Sequence, residues 1–137
     1  MMSELEFTSH PGNLCLVRDF VREFLKTIDL PDSEKDLMVL GLDEACTNVI
    51  RYAYGQQQDQ WMVLGCERGP NSVTFRLRDF GKHCPKEKLC GRPLDLVRPG
   101  GLGIHLIKRA FTEVDYRHLP EGTELVMMRR TDQPSAS

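Results

Sequence analysis

The chain has 137 residues, enough for one compact domain with a working core and too few for a second domain of similar size. Its 18 Lys and Arg stand against 20 Asp and Glu, a formal charge of -2, so the basic excess typical of nucleic-acid binders is missing. The opening MMSELEFTSH has neither the basic start nor the apolar run of a secretory signal, and no stretch approaches the roughly 18 apolar residues of a membrane span, so a cytoplasmic protein is expected.

Five cysteines, Cys15, Cys46, Cys66, Cys84 and Cys90, form no C-x-x-C pair and are odd in number, which argues against a disulfide framework or a structural zinc site. His83, Cys84 and Cys90 could be imagined as metal ligands, but their spacing fits no standard site.

In chain order, ELEFTS alternates apolar and polar residues before Pro11-Gly12 and predicts a first strand over 4–9. Leu14, Val17, Val21, Phe24, Leu25 and Ile28 recur at helical spacing and predict a helix over residues 13 to about 30, ended by Pro31. A second helix starts near PDSEKD, where Asp32 or Ser33 can cap free amides, and runs to about residue 54. WMVLGCER and SVTFRLRDF then read as a hairpin around Gly69-Pro70-Asn71. Residues 81–101 hold glycines and prolines without sustained periodicity, a loop apart from a short turn at PLDLV. LGIHLIKRAF predicts a short helix, EVDYRHL and TELVMMRR two strands around Pro120-Glu121-Gly122, and TDQPSAS a disordered tail. This order implies one domain over 1–130 with a tail over 131–137. Its fold is an α/β two-layer sandwich, a mainly antiparallel mixed sheet with helices on one face.

On the second helix Met38, Leu42, Ala45, Cys46, Val49 and Ala53 share one stripe that can pack on the sheet. Glu44 and Asn48 lie one turn apart on another side. An amide oxygen is a hard ligand suited to magnesium, and a nearby carboxylate can take a proton from a hydroxyl. Asp79 ends an alternating strand and Gly81 follows, a pair that can accept a hydrogen bond from an exocyclic amine and admit a flat ring. Gly100, Gly101 and Gly103 precede a helix, where free amides and the positive helix end can hold phosphate oxygens. The hydroxyl of Thr123 opens the last strand. Taken singly, each feature is also an ordinary solvated helix face, strand end or turn. RDFG is not a protein-kinase signature here, because the chain is too short for that fold and lacks an H-R-D loop.

Together these motifs resemble a family. The ordered set DEACTNVIRYAYG, RDFG, RPGGLGIHLIKRAFTEVDY and GTEL, over about residues 5–130, resembles the Bergerat ATP-binding fold of gyrase, MutL and histidine kinases. Within it the chain is similar to the small anti-sigma-factor serine/threonine kinases. The resemblance implies Glu44 as general base, Asn48 as magnesium ligand, Asp79 and Gly81 at adenine, Gly101 and Gly103 at phosphates, and Thr123 beside Asp79. Arg51, one turn beyond Asn48, falls where related histidine kinases carry a basic residue near the phosphates, and a plain surface charge is the competing reading. Tyr52 replaces a histidine common in relatives. Residues 82–97 are short for a lid over ATP, and no phosphoacceptor histidine helix is present.

The resemblance implies ATP or ADP with Mg2+, a STAS-type anti-sigma antagonist as substrate, a sigma factor as binding partner, and a homodimer. Two other functions compete with a kinase: a nucleotide-gated docking module that transfers no phosphate, and an α/β interaction domain that binds no nucleotide.

Overall fold

The computed structural model describes residues 2–81 and 99–132. Strands β1 (Met2–Thr8), β2 (Trp61–Arg68), β3 (Ser72–Asp79), β4 (Glu113–His118) and β5 (Thr123–Arg130) form one sheet in the order β1-β2-β3-β5-β4. Every described pairing in it is antiparallel. Period-two alternation sends Met62, Leu64, Cys66, Val73, Phe75, Leu77, Leu125 and Met127 to one face, where all are buried. Thr74, Arg76, Arg78 and Glu124 point to the other.

Helices α1 (Leu14–Leu25), α2 (Asp32–Asn48) and α3 (Pro99–Ala110) supply the second layer. Phe75, at the centre of the inner face, meets Phe24 of α1 edge-on at 5.8 Å and Phe111, just after α3, at 5.9 Å. Gly41 brings α2 and α3 together. A Cβ there would lie 3.2 Å from the Ala110 Cβ and 3.3 Å from the Phe111 ring. The two-layer α/β sandwich expected from the element order is therefore present, with its helices on one face.

Several boundaries differ from expectation. α1 stops at Leu25, about five residues early, because the chain folds into tight turns in which the Lys26 amide bonds Glu23 O and the Ile28 amide bonds Leu25 O. Those turns still bury Ile28, which is why its spacing looked helical. Neither Asp32 nor Ser33 caps α2. Pro31 occupies the cap position without a side-chain bond, and Asp32 and Glu34 lie in the first turn, where they suit the positive dipole end. Helix α3 begins at Pro99, so Gly100, Gly101 and Gly103 lie inside it rather than ahead of it. Proline at the first position fits, since its missing amide would have been unsatisfied there anyway. The expected turn at PLDLV, the lid segment, the cluster of His83, Cys84 and Cys90, and the tail beyond residue 132 lie outside the described residues.

Buried polar contacts fix the layers. Arg129 of β5 reaches Glu34 at the start of α2, 2.9 Å away, with only 5% and 16% of these side chains exposed. Among the described residues no helix is long and apolar enough to cross a membrane.

Candidate functional site

The C-terminal half of α2 carries the first part of the site. Asn48 is 5% exposed, and neither its Oδ1 nor its Nδ2 has a hydrogen-bond partner. A buried amide in that state normally costs stability, which makes Asn48 a candidate ligand position. One turn earlier, Glu44 is half-buried. Burial raises its carboxyl above the ordinary value, Asp43 pushes in the same direction, and the Arg51 charge opposes both. Arg51 therefore acts electrostatically on Glu44. Asp43 itself pairs with Arg18, whose Nη1 lies 2.7 Å from its Oδ1.

Just past Asn48 the helix widens. The Val49 amide is shared between the carbonyls of Ala45 and Cys46, and the Tyr54 amide reaches back five residues to Val49 O at 3.0 Å. Such wide turns recur at functional sites. Gly55 and Gln56, both at positive φ, end it, and the Gln56 amide bonds Ile50 O at 2.8 Å. No residue type in VIRYA signals the widening.

The second part lies at the end of β3. Asp79 is 3% exposed and pairs across the sheet with Met62 on one side and Thr123, itself buried, on the other. The Gly81 amide donates to Asp79 Oδ1 at 3.0 Å and so orients the carboxylate. There is no room for a side chain on Gly81: a Cβ would sit 2.5 Å from Ala53 O and 2.7 Å from the Tyr54 ring. Gly122 is pressed even harder. Its φ is +89°, and a Cβ would fall 1.9 Å from Asp79 O.

The Gly81 contacts bring the two parts together, because Ala53 and Tyr54 belong to the wide turn that continues the Asn48 helix. An open depression of about 600 Å³ lies at this junction, lined by Tyr52, Ala53, Tyr54, Gln57, Phe80 and Gly81 among others. Gly101 and Gly103 come in on α3, which packs against α2 at Gly41. Gly101 is in the first turn, where backbone amides have no intrahelical partner, whereas Gly103 lies two residues further in. Among the described residues no cluster of three or more His, Cys, Asp or Glu could hold a metal unaided. Magnesium suits that condition, since it binds through one or two protein oxygens together with substrate phosphates, and Asn48 Oδ1 is such an oxygen.

Two residues of this region escaped the reading of the sequence. The Tyr54 hydroxyl donates to Trp61 O at 2.5 Å and accepts from the Phe80 amide at 2.8 Å. Ser9, fully buried, donates to Gln57 O at 2.5 Å and accepts from the Gln60 amide at 3.1 Å. Both tie together segments far apart in the chain, and no local pattern announces such ties.

An antiparallel sheet with helices on one face, one of them ending in a buried unpartnered asparagine beside a glutamate, defines an α/β ATPase fold of the Bergerat type. Residues 7–129 match the histidine kinase-like ATPase domain, and the chain belongs to that family. It is similar to proteins named anti-sigma F factor. That of Clostridium novyi (strain NT) is 25% identical over 132 residues, covering 93% of this chain and 92% of the relative. That of Pasteuria penetrans is 27% identical over 133 residues, covering 93% and 89%.

Among solved structures, the RsbU and RsbW domains of a Mycobacterium tuberculosis protein superpose with a TM-score of 0.67 at 18% identity. A histidine kinase domain from Erythrobacter litoralis EL346 superposes with a TM-score of 0.64 at 14% identity. The chain covers 34% of the former and 61% of the latter, while 97% and 90% of its own length is matched, so the likeness is one of fold.

Proposed function

We propose that this chain is an ATP-dependent serine/threonine protein kinase of the anti-sigma-factor type. It phosphorylates a small antagonist protein and, when not so engaged, binds a sigma factor. The observation that carries this reading is the pairing on α2 of a buried, unpartnered Asn48 with a half-buried Glu44 whose proton affinity is raised. A module that only docked a partner would have no use for a base beside a metal ligand. The names of the relatives support the choice of partner class.

In this reading Asp79 accepts the adenine amino group, Gly81 admits the ring, and Thr123 braces Asp79 from the neighbouring strand. The amide of Gly101 at the start of α3, with Gly103 behind it, receives phosphate oxygens. Asn48 would hold magnesium, which would neutralise charge on the polyphosphate. Glu44 takes the proton from a serine or threonine hydroxyl of the antagonist as its oxygen bonds to the γ-phosphorus and the bond to the bridging oxygen breaks, releasing ADP. Arg51, near Glu44, offers positive charge on the same helix face.

Incubation with γ-labelled ATP, magnesium and a candidate antagonist from the same genome tests the proposal. Label on serine or threonine, lost in Glu44→Ala while ADP binding persists, is expected. A tight complex without label would make the chain a nucleotide-gated docking module. No heat of binding with ADP and magnesium would remove nucleotide from its function.

A further inference from the structure

We infer that Tyr54 is a positioning residue for base recognition: its hydroxyl, inserted between the ends of β2 and β3, sets the orientation of Asp79 and thereby the preference for a 6-aminopurine. This rests on the nucleotide-binding reading given above.

The register carries the argument. The β2–β3 ladder runs to the pair Met62 and Asp79, and the next residues outward are Trp61 and Phe80. In an uninterrupted antiparallel ladder these two would face each other. The Tyr54 hydroxyl instead stands between them, giving its proton to Trp61 O and accepting one from the Phe80 amide. One side-chain oxygen thus replaces a backbone-to-backbone link and ends the ladder at Asp79.

From there the connection to the carboxylate is short. Phe80 leads into Gly81, which rests on the Tyr54 ring and the Ala53 carbonyl with no space for a Cβ, and the Gly81 amide holds Asp79 Oδ1. The Tyr54 ring sets where Gly81 lies, its hydroxyl sets where Phe80 lies, and between them they fix the turn that aims Asp79. Tyr54 also caps the wide turn that begins directly after Asn48, so the backbone leaving the proposed metal end leads into the side chain that holds the base end. Burial pushes the phenol above its ordinary value, so it keeps its proton at neutral pH and stays a donor.

The experiment compares binding of ATP and of purine riboside triphosphate, which lacks the 6-amino group, by calorimetry with magnesium. Three forms of the full chain are compared: wild type, Tyr54→Phe and Ser9→Ala. Tyr54→Phe keeps the ring and removes only the oxygen. It should raise the Kd for ATP about tenfold while changing that for the purine analogue less than about twofold, collapsing the preference. Ser9→Ala cuts two bonds of the neighbouring turn and serves as the control for general loosening, so its preference should match wild type.

Equal weakening of both ligands in Tyr54→Phe, an unchanged preference, or the same loss of preference in Ser9→Ala would each overturn the inference while leaving the nucleotide site standing. A wild-type chain that binds neither ligand would overturn the site itself, and the role of Tyr54 with it.

Discussion

Replacing Asn48 by leucine should make the protein more stable and destroy its nucleotide binding. The amide is almost fully buried and neither of its polar atoms has a partner. A buried amide without a hydrogen bond costs about 1–3 kcal/mol, and leucine has a similar volume with no polar atom to satisfy. The nucleotide-free variant should therefore gain about 1–3 kcal/mol. For a domain of this length the unfolding entropy is about 0.3 kcal/mol per degree, so the melting temperature should rise by roughly 3–10 °C. ADP with magnesium at 100 times Kd should stabilise the wild type by about 2.7 kcal/mol and the variant not at all. Scanning calorimetry with and without ligand reads both effects. A leucine variant that melts lower than wild type without ligand would show that the amide supports the fold, and the case for an open ligand position at Asn48 would fail.

As the proposed base Glu44 would act only when ionised, and burial lifts its pKa above the ordinary carboxylate value, so the proposed phosphotransfer should decline with acidification from a higher pH than a free glutamate would give. Arg51→Ala removes the opposing charge and should move that limb higher still; single-turnover rates against pH check it, and a shift the other way contradicts the assignment. Gly122→Ala should cost about 3 kcal/mol or more in urea unfolding, because a methyl there runs into the Asp79 carbonyl at positive φ, and a loss under about 1 kcal/mol would contradict the geometry. Glu34→Ala should cost about 3 kcal/mol by removing the carboxylate that faces the buried Arg129. Asp36→Ala, at an exposed ion pair with Arg22, should stay within about 0.5 kcal/mol, and similar losses at the two sites would mean that burial does not set their strength.

The strands were legible because each carries its own signal. β2 and β5 run between turn residues with an alternation whose inner members, such as Leu64 and Met127, are fully buried, and both were bounded correctly from the residues alone. The end of α1 was not, because Ile28 keeps its helical spacing while the backbone has already turned. The start of α3 was missed because two glycines disfavour helix locally, and only packing in the fold can override that. In the site, the pairing of Asp79 with Thr123 was implied by the family resemblance. That Asn48 would be buried rather than solvated was not, since its position on the helix wheel says nothing about what lies opposite. The Tyr54 and Ser9 ties were invisible for a related reason: the Tyr54 bond to Phe80 spans 26 positions and the Ser9 bond to Gln60 spans 51.

At Gly41 the spacing of two helices is set by a side chain that is missing, with α3 pressed nearly flush against α2. A single added methyl would act as a wedge near the trailing end of α3, and a rigid rod tilted at one end moves most at the other. The far end holds Gly101 and Gly103, the phosphate contacts proposed above, so a change with no chemistry of its own would detune that proposed grip from a distance.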